Sequence, residues 1–305
     1  MVIPHSSSHP RAVRDLLKPT LPVSLRTCWI NGSYVSEADA HVSIFDRSVL
    51  FGDGVYEVAA VFNGRLLDAD RHLVRLERSM REIALPAPAS SAELEAVMQE
   101  LATRNGITEG LVYLQVTRGA AERDFAFPDH VQPTVFAFAR PKKLSDDPNQ
   151  HGIRVHVVPD IRWQRCDIKS TAMLAQVLAK QAARQAGAFE AMMHEDGLVT
   201  EGGSSNLWIV RDGIAYTRPL SRDILAGITR HVCLDVADEA QVSVVQRAFT
   251  VEQAINADEC FITSATSFVL PVTRIDEHVV GNGAPGPVTL RMRDAYLARA
   301  HRLTT

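Results

Sequence analysis

The chain has 305 residues, of which 46% are hydrophobic and 22% are charged, and its formal net charge is −4. This length and composition are typical of a globular protein with a large buried core, in one large domain or two smaller ones. The basic residues are scattered, so we expect neither a nucleic-acid partner nor binding to an anionic membrane surface. No apolar run approaches the ~18 residues of a membrane span, so no membrane partner is expected.

Residues 1–25 contain Ser, His, Pro and Arg and lack the apolar segment of a secretory signal. We therefore predict an N-terminal extension there and a cytoplasmic protein. The cysteines are far apart and have no CxxC spacing, which favours reduced thiols over zinc ligands or disulfides. No metal site is expected; the four cysteines are Cys28, Cys166, Cys233 and Cys260.

Strand patterns dominate the first half of the chain. Asn31-Gly32 and Asn63-Gly64 each separate two strand-like runs, and this pair of residues predicts a tight β-hairpin turn. The predicted strands are residues 26–30, 33–35, 54–62, 65–67, 111–118 and 134–139.

Two helices are predicted between these strands. Residues 69–83 carry apolar side chains at helical spacing. Ser90 and Glu93 have the spacing of a capping box, which predicts a second helix from about residue 90 to residue 104.

The region 141–152 has a Lys-Lys pair, an Asp-Asp-Pro-Asn-Gln run and no apolar pattern, and we predict an interdomain linker there. It would separate a small α/β domain (26–140) from a larger one (153–305), so the predicted fold class is α+β in two domains. The larger domain is predicted to contain a strand at 153–158, helices at 171–186, 227–237 and 287–302, and hairpins at Asp196-Gly197 and Asp212-Gly213.

Lys169 lies in the run Asp-Ile-Arg-Trp-Gln-Arg-Cys-Asp-Ile-Lys-Ser, ahead of the predicted helix 171–186. Burial beside Ile168 and repulsion from nearby arginines would favour the neutral amine of this lysine. A neutral lysine amine is a nucleophile for aldehydes, so Lys169 is a candidate Schiff-base residue. A lone lysine is more often a solvated surface charge.

A second motif, Thr-Glu-Gly-Gly-Ser-Ser-Asn at 200–206, packs an acid, two glycines and two hydroxyls into one short segment. Its carboxylate, Glu201, is able to hold a proton on a heteroaromatic nitrogen, while the glycines let the backbone approach a ligand. Taken alone, the segment also reads as a hairpin loop made of ordinary turn residues.

Together these two motifs resemble the pyridoxal-phosphate (PLP) aminotransferases of fold type IV, and most closely the D-amino acid (D-alanine) aminotransferases. Three further segments resemble the same family in the same order, and the resemblance extends from about residue 27 to residue 297. It implies a two-domain α+β fold with PLP between the domains, in a homodimer whose active site lies at the interface. The further segments are 51–58 with 70–76, 225–230 and 263–267.

The resemblance assigns roles to individual residues. Lys169 would form the Schiff base with PLP and move the proton between two carbons, and Glu201 would pair with the pyridine nitrogen. Arg75 would bind the phosphate, and Tyr56 and Arg123 would bind the substrate. The remaining cofactor-binding residues would be Ser205, Ile228, Thr229, Ser264, Ala265 and Thr266.

One position departs from the family pattern. D-amino acid aminotransferases typically have Arg-x-His-x-Phe-Pro, in which the arginine and the histidine bind the substrate carboxylate in the neighbouring subunit. Arg123 matches the arginine, but Phe125 stands where the histidine is expected, and phenylalanine has no hydrogen-bond donor. We expect weaker binding of D-amino acids or a broader substrate range that includes (R)-amines.

The resemblance implies transamination between a D-amino acid and a 2-oxo acid such as 2-oxoglutarate. An aminodeoxychorismate lyase is disfavoured by the Arg123 segment and the 51–58 motif. A branched-chain L-amino acid aminotransferase usually has Phe-Glu-Gly where this chain has Tyr56-Glu57-Val58. A PLP-binding protein without catalysis would need neither Lys169 nor Glu201.

Overall fold

A computed structural model of the chain describes residues 26–130, 132–144 and 151–305. The predicted extension 1–25 and the central part of the predicted linker, residues 145–150, lie outside the described residues. Within the described ranges no helix is both long enough and apolar enough to cross a bilayer.

The first half of the chain forms a six-stranded antiparallel sheet in the order β2-β1-β6-β5-β3-β4. Both Asn-Gly hairpins are confirmed: Asn31 and Asn63 have positive φ angles of 46° and 50°, as their glycines do. The strands are β1 (Thr27–Ile30), β2 (Ser33–Ser36), β3 (Gly54–Phe62), β4 (Arg65–Leu66), β5 (Gly110–Thr117) and β6 (Thr134–Pro141).

Among the described residues this half has three α-helices: α1 (Arg47–Phe51), α2 (Ala69–Glu82) and α3 (Ser91–Arg104). The apolar residues of α2 and α3 pack on one face of the sheet and form a core that includes Leu73, Leu76, Met98 and Leu101. The capping box predicted before α3 is present, because Ser90 and Glu93 bond each other's backbone N–H.

The second half forms a nine-stranded mixed sheet in the order β12-β11-β10-β13-β14-β7-β8-β9, with β15 beside β14. Its hairpins at Asp196-Gly197 and Asp212-Gly213 are found as predicted. The strands are β7 (Ile153–Pro159), β8 (Glu190–Glu195), β9 (Leu198–Gly202), β10 (Asn206–Arg211), β11 (Ile214–Thr217), β12 (Ser243–Gln246), β13 (Glu259–Ser264), β14 (Phe268–Ile275) and β15 (His278–Val279).

Four helices accompany this sheet: α4 (Leu174–Gln185), α5 (Ile228–Asp235), α6 (Val251–Ile255) and α7 (Pro287–Thr304). The long helix α7 also holds the two halves together, since Arg299 Nη2 donates to Asp68 Oδ1 at 2.6 Å and Asn63 Nδ2 donates to Thr304 Oγ1 at 3.1 Å. The α+β class is confirmed, whereas the division into two domains at 141–152 stays a prediction.

The helix predicted from residue 171 begins only at Leu174. The preceding residues are bonded to β3: Tyr56 N donates to Lys169 O at 3.0 Å, and Thr171 N donates to Gly54 O at 2.9 Å. Met173 N donates to Thr171 O at 2.9 Å, and the helical bonds of α4 start only with Val177 N, which donates to Met173 O at 3.0 Å. Lys169 therefore lies in a non-helical segment between the two halves, and not at the start of a helix.

Candidate active site

A cavity of about 200 Å³ lies where the two halves of the chain meet. Arg123 is outside it, while the other predicted site residues all line it. These are Tyr56, Arg75, Lys169, Glu201, Ser205, Ile228, Thr229, Ser264, Ala265 and Thr266.

Lys169 is held at this cavity by helix α2 as well as by β3. Its backbone N–H donates to the hydroxyl of Ser79, a fully buried residue of α2, at 3.3 Å. Arg78, the preceding residue of that helix, donates to the carbonyl and the carboxylate of Asp167, at 2.9 and 2.5 Å. The Lys169 ammonium lies 4.2 Å from the centroid of the Tyr56 ring. The backbone of Lys169 is thus held by hydrogen bonds, while its amine lies beside the ring of Tyr56.

Glu201 lies within strand β9 and is only 5% exposed, so it is not a solvated turn residue. Its Oε1 accepts from Arg162 Nη1. Its Oε2 accepts from Asn206 Nδ2 at 2.9 Å and from the backbone N–H of Leu225 at 3.1 Å. These three donors fix the plane of the carboxyl group at the edge of the cavity.

Burial raises the pKa of Glu201 from 4.5 to about 7, although Arg162 opposes the shift. Arg162 is only a partial counter-charge, because it also donates from Nε and Nη2 to Asp160, at 2.9 and 2.6 Å. A carboxyl group in this state gains from any further cation or N–H donor that enters the cavity.

Arg75 offers a guanidinium group whose orientation is set by buried partners. Its Nε and Nη2 donate to the two oxygens of Glu57, both at 2.7 Å, and its Nη1 donates to the carbonyl of Ala226 at 2.8 Å. Glu57 is fully buried and is also 2.7 Å from His72 Nδ1. Burial raises the pKa of Glu57, but Arg75 and His72 lower it by more, so the net pKa is well below its ordinary value.

The first turn of α5 faces the same cavity through Ile228 and Thr229. The residue before it, Gly227, has no side chain to cap the helix, and a Cβ there would lie 2.0 Å from Asn206 Oδ1. Uncapped N–H groups at a helix N-terminus bind anions such as phosphate. The turn that contains Ser264, Ala265 and Thr266 joins β13 to β14 and adds hydroxyl groups at two of these positions.

The donors of this cavity fit a phosphorylated heteroaromatic aldehyde. Arg75, the α5 N-terminus and the 264–266 turn suit a phosphate group. A lysine amine suits an aldehyde, and a buried carboxyl suits a ring nitrogen that carries a proton.

Two of the predicted residues, Ser205 and Arg123, have contacts outside the cavity. The hydroxyl of Ser205 is engaged with Glu190 Oε2 at 3.3 Å. Arg123 is exposed on a surface loop, where its guanidinium lies 5.3 Å from the Phe51 ring and 5.4 Å from the Phe125 ring. The neighbouring Asp124 carboxylate accepts from its own loop, at Ala126 N.

Sequence reasoning missed the roles of Glu57 and Arg162. Glu57 lies between Val55 and Ala59 on the buried face of β3. A charged residue at a position where the strand pattern expects an apolar one is a signal of a buried ion pair. Arg162 follows Asp160 by two residues close to Lys169, but the distant Glu201 that it contacts was not deducible from local spacing.

The family model described as Amino-transferase class IV matches residues 54–275. The chain is 42% identical over 265 residues to D-alanine aminotransferase of Bacillus licheniformis, covering 87% of this chain and 94% of the relative. It is 40% identical over 269 residues to D-alanine aminotransferase of Staphylococcus haemolyticus, covering 88% and 95% of the two chains.

Solved structures of branched-chain amino acid aminotransferases are similar in fold. The T.th. enzyme with pyridoxamine 5'-phosphate has a TM-score of 0.85 and 28% identity, covering 92% of this chain and 96% of that one. The enzyme of Escherichia coli has a TM-score of 0.83 and 25% identity, covering 91% and 95%.

Replacement Glu57→Gln is expected to lower the free energy of unfolding by about 3 kcal/mol, because it leaves the buried Arg75 charge without its carboxylate. The matched control is Asp235→Asn, which removes the half-exposed partner of Arg71, a residue of the same helix as Arg75. That change is expected to cost less than about 1 kcal/mol. Urea unfolding measures both, and equal losses would contradict the assignment of Glu57 as the buried counter-charge.

The raised pKa of Glu201 predicts a pH effect on the cofactor-free protein. Between pH 4.5 and about 7 the folded chain holds a proton that the unfolded chain has released, so this group's contribution to stability is lost as pH rises. Glu201→Gln is expected to flatten the fall in unfolding free energy across this window. Glu195→Gln, an exposed change on β8, is the control, and an unchanged slope in Glu201→Gln would refute the prediction.

Proposed function

The chain belongs to the class IV aminotransferases, which use PLP, and on this basis we propose that it transfers the amino group of a D-amino acid of the D-alanine type to a 2-oxo acid such as 2-oxoglutarate. The observation that carries the proposal is the shared cavity lined by Lys169, Glu201 and Arg75. The D-amino acid class is supported by the identity to D-alanine aminotransferases over most of the chain.

PLP, when bound, withdraws electrons from the substrate carbon that carries the amino group and so acidifies its Cα–H bond. In this proposal Lys169 Nζ would hold the cofactor until substrate takes its place. The freed amine would then be the base that accepts the proton from the substrate Cα and returns it to the cofactor side. The bonds from β3 and Ser79 fix the lysine backbone, and the Tyr56 ring limits where the amine moves.

Glu201 keeps the proton on the ring nitrogen of the cofactor. A carboxylate there favours the protonated ring, which is the better electron acceptor. Arg162, Asn206 and the Leu225 N–H occupy the other positions around this carboxyl group and hold it in place. Burial has raised the pKa of Glu201 to about 7, so its negative charge is only partly compensated. A positively charged ring nitrogen would supply the missing compensation.

Arg75 and the N–H groups of Ile228 and Thr229 would bind the phosphate group. Glu57 contributes indirectly, since it points the guanidinium of Arg75. Ser264 and Thr266 add hydroxyl donors, and Ala265 is able to donate only through its backbone N–H. Ser205 donates its hydroxyl to Glu190 at 3.3 Å and so keeps the 200–206 segment folded at the edge of the cavity.

The substrate carboxylate is proposed to bind Tyr56 and Arg123, with Arg123 acting in the cavity of a partner subunit. Two observations support a homodimer: Arg123 lies outside the cavity of its own chain, and large apolar side chains are exposed on its loop and on the segment 44–49, which is bonded to the start of that loop. Exposed apolar surface of this kind marks protein–protein contacts. The exposed residues are Ile44, Phe45, Val49, Phe125 and Phe127.

A branched-chain L-amino acid aminotransferase is the second candidate, because solved enzymes of that name share the fold at TM-scores of 0.85 and 0.83. The sequence Tyr56-Glu57-Val58 disfavours it, since enzymes of that type usually have Phe-Glu-Gly there. The two candidates differ in substrate configuration, so a substrate panel separates them.

The holoenzyme is expected to release pyruvate from D-alanine with 2-oxoglutarate, and to use L-valine poorly. Lys169→Ala is expected to abolish turnover, because no other described residue that lines the cavity is a lysine able to move the proton, whereas Lys143→Ala, an exposed control, keeps full activity. Rates come from a coupled pyruvate assay and from single-turnover absorbance of the bound cofactor. Faster turnover of L-valine than of D-alanine would overturn the D-amino acid proposal and favour the second candidate.

Phe125→His is expected to lower the KM for D-alanine about tenfold, because a hydrogen bond to a charged group contributes about 1.5–3 kcal/mol. The wild-type Phe125 side chain is 77% exposed and donates no hydrogen bond. Phe189→His, at another exposed phenylalanine, is the control. A KM that stays the same in both variants would show that residue 125 does not reach the substrate.

A further inference from the structure

The surface loop 119–128, which carries Arg123 and which we name the Arg123 loop, has no helix or strand of its own apart from a single bridge at residue 120. One end is attached to the segment before α1, where Ala121 N donates to Phe45 O at 3.2 Å. Beyond this bond, the backbone of residues 124–126 needs other partners to keep one conformation.

Those partners come from one side chain. Arg47, the first residue of α1, is only 3% exposed, and its Nη1 donates to Asp124 O at 2.6 Å and to Ala126 O at 3.3 Å. Its Nη2 donates to Phe125 O at 3.4 Å. A single guanidinium therefore holds three consecutive carbonyl groups that directly follow Arg123.

The guanidinium of Arg47 is itself immobilised on its other edge. Its Nε donates to Asp53 Oδ2 at 2.8 Å, and the same oxygen accepts from Arg118 Nε at 2.8 Å. Arg118 donates onward to the carbonyls of Ile83 and Ala84, at 2.7 and 3.0 Å. All three side chains are almost fully buried. The network thus ties the Arg123 loop to the end of α2.

An aromatic ring connects Arg47 to Arg123 directly. The Cζ of Arg47 is 4.7 Å from the centroid of the Phe51 ring, and the Cζ of Arg123 is 5.3 Å from the same centroid. Cations gain from such positions over an aromatic face. The position of Phe51, one turn after Arg47 in α1, therefore also affects where the Arg123 guanidinium lies.

We propose that Arg47 is a positioning residue for substrate carboxylate recognition: by holding three carbonyl groups of the Arg123 loop, it sets where Arg123 presents its charge. The inference rests on the proposed function, in which Arg123 binds the substrate carboxylate. Arg47 itself does not line the cavity. A displacement of about 1 Å in a group that binds substrate is able to lower the rate about 100-fold. A loop without regular structure therefore needs side-chain hydrogen bonds of this kind to keep Arg123 in place.

The test compares the Arg47→Gln and Arg47→Lys holoenzymes with wild type. Glutamine is too short and has too few donors to hold Asp53 and the three carbonyls, whereas lysine keeps the charge but not the fork. Arg293→Gln is the matched control, because Arg293 is also a buried arginine that donates to a main-chain carbonyl, that of Val269, but lies in α7.

Arg47→Gln is expected to raise the KM for D-alanine about tenfold with a smaller change in kcat, while the absorbance of bound PLP is unchanged. Hydrogen–deuterium exchange of peptides covering 119–128 is expected to become faster, and Arg47→Lys is expected to restore part of both properties. Arg293→Gln is expected to lower the Tm and leave KM and loop exchange unchanged.

An unchanged KM in folded Arg47→Gln holoenzyme would overturn the inference, and so would a raised KM without faster exchange in the loop. If wild type prefers another amino acid, the same KM comparison is made with that substrate. Failure of the D-alanine assignment is therefore visible in the wild-type enzyme alone, before any Arg47 variant is compared.

Discussion

The main-chain pairing between β3 and the segment that contains Lys169 is the constraint on which the site depends. The bonds from Tyr56 to Lys169 and from Thr171 to Gly54 join the two halves of the chain at Lys169. The same strand carries Tyr56 and Glu57, and Glu57 in turn orients Arg75. Lys169, Tyr56 and Arg75 are therefore placed by one short stretch of backbone, so a shift of β3 would move all three together.

Two buried carboxyl groups of this site show that the pKa of such a group depends on how fully the neighbouring arginine donates to it. Burial raises the pKa of both. Arg75 and His72 both bond to Glu57, and the pKa of Glu57 falls below the ordinary range. Arg162 is divided between Glu201 and Asp160, and the pKa of Glu201 rises to about 7. Glu57 is thus held as an anion with a structural role, whereas the charge of Glu201 is compensated less fully, which agrees with its proposed role beside a protonated ring nitrogen.

Local patterns in the sequence predicted local structure well. The Asn-Gly turns and the capping box before α3 were confirmed, because a two-residue turn or a helix cap depends only on its immediate neighbours. Helices α1 and α6 were not predicted, and the start of α4 was wrong. At α1 and α4 the backbone bonds distant residues: Arg47 N donates to Gly119 O, and Thr171 N donates to Gly54 O.

The order and chemistry of the motifs around Lys169, Glu201 and Arg75 were sufficient to predict the family and the α+β class, since reactive residue types and their sequence context are written in the chain. The partners of these residues were decided only by the tertiary structure. Arg162 reaches Glu201 and Arg47 reaches the Arg123 loop across long stretches of chain. Such contacts depend on how strands and helices pack, and one sequence carries no local signal of that packing.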